Sequence, residues 1–126
     1  MKVLIDTSAW IEYFIGSEDG RKVQEYIEAN ESLTSVVSLL ELSYKADKEG
    51  WNIKSYLDYI KLKSVVIGIK ESSIIDFGKV YNNARKKEKN FGFADGILLL
   101  TSIKEGSQIL TKDRHFKDFE NSILLE

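Results

Sequence analysis

Two residue types are missing from this chain altogether: it has no cysteine and no proline. Without cysteine there is no disulfide framework and no thiolate metal centre, and a single histidine, His115, excludes a multi-histidine zinc site. Any metal would have to be held by oxygen. Neither sign of charge dominates. The 18 lysines and arginines nearly balance 20 aspartates and glutamates, a formal net charge of -2, so the chain as a whole does not attract a polyanion. Nucleic-acid contact would have to come from a local patch. Long apolar runs are absent too. The first, Val3-Leu4-Ile5, is too short for a signal peptide and meets Asp6 at once, and none further on approaches the length of a membrane span. No Gly/Ser-rich linker, internal repeat or low-complexity segment divides the chain. What is present, 43% apolar and 30% charged residues among 126, predicts one globular domain over residues 1–126 with a real core, no membrane association and a cytoplasmic location.

The order of elements predicts the fold class. Val3 to Ile5 reads as a strand buried on both faces, and Thr7 and Ser8 offer caps for a helix over Ala9 to Ile15 with Trp10, Tyr13 and Phe14 on one side. Glu18 to Ala29 is an amphipathic helix, Ser32 to Ser35 a strand, and Val36 to Glu49 a helix closed by Gly50. Trp51 to Leu62 reads as helix and Ser64 to Ile69 as a β-branched strand. Glu71 to Lys89 is a long helix with Ile74, Ile75, Phe77, Val80, Tyr81 and Ala84 toward the core and a basic end, followed by a helix over Phe91 to Ile103. Ser107 to Leu110 is a strand, Arg114 to Phe119 a short turn or helix, and Ile123 to Leu125 the last strand. Strand and helix alternate throughout, which predicts an α/β fold with a parallel sheet, right-handed crossovers and helices on both faces.

Four acids stand out. Asp6 and Asp113 follow strands at their carboxyl ends, where open parallel sheets place ligands. Glu41 sits among Val36, Val37, Leu39, Leu40 and Leu42 in a helix start that reads as buried, and Asp95 lies in the first turn of a helix apolar nearly all round. Each has an ordinary explanation taken singly: a turn or cap, a structural ion pair, a carboxylate favoured by a helix dipole. Strands about 4.8 Å apart can bring such acids together, and four clustered carboxylates without counter-charge repel one another. A divalent cation with oxygen ligands, Mg²⁺ or Mn²⁺, resolves that repulsion.

The segments VLIDTSAWIEYF around Asp6, SLLELSYKA around Glu41, FGFADGILLLTSI around Asp95 and ILTKDRHF around Asp113 match one family in order, spacing and context. The chain resembles the PIN-domain ribonucleases, and among them the VapC-type toxins of toxin-antitoxin pairs. That resemblance implies a three-layer α/β/α sandwich around a central parallel sheet. It also implies that Asp6, Glu41, Asp95 and Asp113 line one acidic pocket, with Thr111 and Ser8 holding carboxylates or a water by hydrogen bonds. Lys112 stands where such proteins often carry a small residue. The implied activity is metal-dependent endoribonucleolytic hydrolysis of RNA phosphodiester bonds, with a cognate antitoxin as partner and a homodimer as the assembly.

In such a site Asp6 and Asp95 are the expected direct ligands of Mg²⁺ or Mn²⁺, and Glu41 and Asp113 complete the coordination or position the attacking water. Lys112, Arg114 and the basic stretch Arg85 to Lys89 are candidates for phosphate contacts. Other readings fit less well. A haloacid-dehalogenase-type phosphatase wants a second acid where Ser8 stands, and a Rossmann nucleotide binder wants glycines after the first strand. The alternative of another class is a non-catalytic module of the same fold that binds a protein or RNA partner, against which the four acids argue.

Overall fold

The structure is a computed structural model that describes residues 1–126. Five strands form one sheet in the order β3-β2-β1-β4-β5: β1 is Lys2–Ile5, β2 Glu31–Ser35, β3 Val65–Ile67, β4 Ser107–Thr111 and β5 Ser122–Leu124. Every pairing is parallel. Six helices connect them: α1 Thr7–Ile15, α2 Glu18–Ala29, α3 Val36–Glu49, α4 Ile53–Lys63, α5 Glu71–Lys87 and α6 Phe93–Glu105, with a 3-10 turn at Arg114–Phe116. No helix is long and apolar enough to cross a membrane.

Strand β1 is central, with Leu4 opposite Leu33 on one side and Ile109 on the other. Alternation of side chains along it divides the core in two. Val3 and Ile5 join Trp10, Val23, Leu42 and Ile60 under α1 to α4. Leu4 joins Leu33, Phe91, Leu98, Ile109 and Phe116 under α5 and α6. The result is the three-layer α/β/α sandwich. One chain of polar groups runs through the first half. Trp10 Nε1 donates to Thr34 Oγ1 at 3.1 Å, which pairs with Ser64 Oγ at 2.7 Å, and Ser64 Oγ donates to the Ile60 carbonyl at 2.9 Å.

Several local expectations are corrected. Helix α1 begins at Thr7, because Asp6 itself caps it through the Thr7 amide. Asn52 caps α4, so Trp51 lies outside that helix, and Phe91 is fully buried ahead of α6 rather than within it. The front of α3 is not buried all round: Leu40 and Tyr44 are exposed, because α3 turns Ser38, Leu39, Leu42 and Ala46 toward the core and the other faces outward. Ile74 and Ile75 face solvent, and α5 packs on α6 through Phe77, Tyr81 and Ala84. That packing needs Gly96, whose added Cβ would stand 2.7 Å from a ring carbon of Tyr81.

Candidate active site

The parallel pairing of β1 with β4 sets Ile5 opposite Leu110, and the Asp6 amide extends the ladder by donating to the Leu110 carbonyl at 3.0 Å. Asp6 and Thr111 therefore end neighbouring strands side by side. Thr111 Oγ1 donates to Asp6 Oδ2 at 2.8 Å, and its lone pair accepts the Asp113 amide at 2.9 Å. The other oxygen of Asp6 accepts the Thr7 amide at 2.7 Å. Ser8 Oγ stands 3.4 Å from Asp6 Oδ2 and 3.3 Å from Thr111 Oγ1, and it accepts the Lys112 amide at 2.9 Å. Ser8 and Thr111 thus hold the carboxylate of Asp6 as a unit. Both Asp6 and Thr111 are buried.

Glu41 reaches the same place from α3. Its Oε1 lies 3.1 Å from Thr7 Oγ1, whose hydroxyl is also 3.0 Å from the Ser38 carbonyl. Asp95 enters from the first turn of α6, where its Oδ2 accepts the Gly92 amide at 3.0 Å. It is a cap, as its position suggests, but one oxygen is left for other work. Asp113 caps the 3-10 turn, its Oδ1 accepting the His115 amide at 2.9 Å. The four acids Asp6, Glu41, Asp95 and Asp113 line one cleft of about 610 Å³, with Thr7, Ser8 and Lys45 among its other walls.

Burial and mutual repulsion act on these groups together. Burial, reinforced by Asp113 and Asp95, raises the pKa of Asp6 against the opposing hydrogen bonds from Thr111 and Thr7. Glu41 is raised by loss of water around its carboxyl and then by Asp6, although the residue as a whole is exposed. No lysine or arginine forms an ion pair with any of the four; the one cationic group among them is His115. Its Nδ1 is 3.0 Å from Asp95 Oδ2 and 3.5 Å from Asp113 Oδ1, and the hydrogen bond to Asp95 raises its pKa. Asp95, Asp113 and His115 each offer a ligand atom within 4.8 Å of the others.

His115, which enters the sequence reading only as the sole histidine, within the short turn or helix over Arg114 to Phe119, thus belongs to the acidic cluster. The available signal was the cap itself: an aspartate accepting the amide two residues on folds that residue back over its own carboxylate. Lys45 and Lys48 on the cleft wall were likewise not singled out. Of the basic candidates for phosphate contact, Lys112, Arg85 and Arg114 have partners elsewhere, and none of the stretch Arg85 to Lys89 lines the cleft. Lys112 Nζ pairs with Glu12 at 2.9 Å and Asp19 at 3.1 Å, over α1 and α2, and Arg85 donates to the Phe91 carbonyl at 2.9 Å. Arg114 Nη1 lies 3.9 Å from Glu126. A second, more apolar groove of about 260 Å³ between α5 and α6 has Glu105 as its one acid, 3.9 Å from Lys70.

Comparison with known proteins gives the family. A family model described as PIN domain matches residues 3–121. The chain belongs to the PIN-domain family. Solved structures of similar fold include VapBC2 from Rickettsia felis bound to a DNA fragment from its promoter. That chain is 20% identical with a TM-score of 0.76, over 98% of this chain and 97% of the other. Another is Mycobacterium tuberculosis VapC20, a sarcin-ricin loop cleaving toxin, at 16% identity and TM-score 0.73 over 98% and 99%. DNA-bound VapBC from Salmonella typhimurium is 19% identical, TM-score 0.72, over 98% and 96%. These likenesses show the fold. Among curated sequences, a probable GTP-binding protein EngB from Streptococcus pneumoniae is 31% identical over 90 residues, 69% of this chain and 46% of the relative. The chain spans about half the length of the curated relatives it matches. After β1 this PIN domain runs Asp6-Thr7-Ser8-Ala9 without the glycines of a phosphate loop.

Proposed function

We propose that this PIN domain is a Mg²⁺- or Mn²⁺-dependent endoribonuclease, the toxin of a toxin-antitoxin pair, acting in the cytoplasm and assembling as a homodimer with a cognate antitoxin. The observation that carries the catalytic part is Asp6. It is a buried carboxylate, fixed at both oxygens by Thr7 and Thr111, in a cleft with three further acids, none of the four ion-paired with a lysine or arginine. Such a donor set demands a cation, and oxygen ligands suit Mg²⁺ or Mn²⁺. The residues fit the ion. Asp6 and Asp95 would hold it, with Glu41 and Asp113 completing the set or orienting water.

When bound, the cation would supply a water of lowered pKa and stabilise the oxygen leaving phosphorus. The chain's own residues do the rest. Thr111 and Ser8 keep Asp6 from turning away, Thr7 steers the Glu41 carboxyl, and His115 holds Asp95 and Asp113 from the far side. The antitoxin part draws its support from the VapBC complexes in which neighbours of this fold were solved, and the homodimer part from the motif resemblance alone.

The test is cleavage of total RNA by purified protein with Mg²⁺ or Mn²⁺, with EDTA, and with Asp6→Asn in parallel. Cleavage lost in both controls is the expected result. A folded, metal-supplied protein that cuts no RNA of any class overturns the proposal.

A further inference from the structure

Beyond Glu41, the residues of α3 that line the cleft are Tyr44, Lys45, Lys48 and Glu49. Helical spacing sets Glu41, Lys45 and Lys48 on one face with Tyr44 beside them, a row that runs about 10 Å along the axis away from the acids. Tyr44 is 69% exposed, and Lys48 Nζ lies 5.6 Å from its ring centroid. Neither Lys45 nor Lys48 takes part in any ion pair, and of the lysines without one they are the two that line the cleft. An open aromatic ring and two uncommitted ammonium groups thus share one wall with a cluster of acids.

We infer that this face of α3 is the track by which a single-stranded RNA enters the cleft, Tyr44 stacking on an unpaired base while Lys45 and Lys48 contact backbone phosphates. The inference rests on the nuclease reading above. A pocket of four acids repels phosphate, and a net charge of -2 offers no general attraction. The two lysines supply the local patch that composition alone does not reveal, and Glu49 is the one opposing charge on that stretch of wall. A tyrosine with a free ring face stacks on any base, but only on one not already stacked within a duplex, so the track selects unpaired strand. Lys112, Arg85 and Arg114 do not line the cleft and give no competing route.

The test is binding, read by the anisotropy of a short fluorescein-labelled single-stranded RNA and of a blunt-ended RNA duplex of the same length. The protein carries Asp6→Asn, in Mn²⁺, so that nothing is cut. Because Tyr44 is exposed, Tyr44→Ala leaves the fold intact. It is expected to weaken single-strand binding about tenfold, with Tyr44→Trp restoring it and duplex binding unmoved. Lys45→Ala with Lys48→Ala is expected to lower the salt slope of binding by about 0.7 per lysine, which loss of packing would not do. Cleavage by the unmutated chain, run in parallel, separates the two readings. If that chain cuts RNA while the α3 variants bind and cut as it does, the track is overturned and the nuclease reading stands. If the unmutated chain neither binds nor cuts RNA, the nuclease reading falls and the track with it. A protein segment whose binding Tyr44→Ala abolishes, with RNA binding unchanged, also overturns the track and gives the face to a protein partner.

Discussion

His115 Nδ1 lies 3.0 Å from Asp95 Oδ2, joining the turn after β4 to the first turn of α6. Through its backbone amide the same residue holds Asp113, so two acids from separate elements are tied by one side chain and its own peptide.

The first prediction is a titration. The hydrogen bond to Asp95, with Asp113 nearby, raises the His115 pKa above its usual 6.5. In the metal-free protein the folded-state pKa is above the unfolded-state value. The stabilisation from imidazolium and Asp95 is therefore fully present below about 6.5 and is lost as pH rises through the raised value. His115 is the sole histidine, so its imidazole signal in a proton NMR titration needs no assignment. Asp95→Asn should move that midpoint back down. A midpoint at or below the ordinary histidine value in the unmutated chain would refute the contact.

Thr111 is the second place to test, because one hydroxyl serves two partners there: it donates to Asp6 and accepts the Asp113 amide. Thr111→Val keeps the shape and removes both bonds. Positioning residues of this kind typically cost about 10–100-fold in metal affinity when lost, and a buried amide left unpaired costs about 1–3 kcal/mol of stability. Asp6 also loses a bond that favours its charged form, so the acid limb of activity should move to higher pH. Calorimetric Mn²⁺ titration and urea unfolding of Thr111→Val and Thr111→Ser separate these effects, Ser being expected to rescue. Unchanged Mn²⁺ affinity in the Val variant would count against the role given to Thr111.

Much of this arrangement was legible in the chain. Val3-Leu4-Ile5 could be read as a central strand because a strand covered on both faces has no polar position, and Asp6 marked its end. The strand-helix alternation did the same for the parallel sheet and its two helical layers. What escaped depended on partners distant in sequence. Leu40, Tyr44, Ile74 and Ile75 look like core residues until one knows that no element covers that side of α3 or α5. Lys112 reads as a free cation beside the fourth acid, yet its partners Glu12 and Asp19 lie on helices from the other end of the chain. Propensity locates elements, but it does not say which carboxylate a lysine will find.

A third prediction concerns the core rather than the cleft. Trp10 is almost wholly buried, and its indole N–H has Thr34 Oγ1 as acceptor within a chain that ends on the Ile60 carbonyl. Thr34→Val replaces the hydroxyl by a methyl of similar size and leaves that donor unpaired. The expected loss is about 1–3 kcal/mol in urea unfolding, with Thr34→Ser, which keeps the acceptor and loses only a buried methyl, costing about 1 kcal/mol or less. Cleavage by folded Thr34→Val should be unchanged, since Thr34 lies outside the acidic cleft. A Val variant as stable as the unmutated chain would show that the indole finds another partner.

The last prediction turns on the charge of Asp6. Burial raises its pKa, so the folded, metal-free chain holds that proton more tightly than the unfolded chain does. Stability then falls as pH rises from the unfolded-state value of about 4 through the raised folded-state value, the reverse of the usual carboxylate. At neutral pH Asp6→Asn removes this penalty. The metal-free Asn variant should unfold at a higher temperature than the unmutated chain, while cutting no RNA. Mn²⁺ should reverse the order. A cation that binds only the folded chain stabilises it by about 2.7 kcal/mol at a hundredfold excess over its Kd, and the Asn variant, lacking a ligand charge, should gain little of that. Thermal melts of both proteins with EDTA and with Mn²⁺ make a four-way comparison in which the sign of the difference changes between columns. Equal stabilisation of the two by Mn²⁺ would place the cation elsewhere than on Asp6.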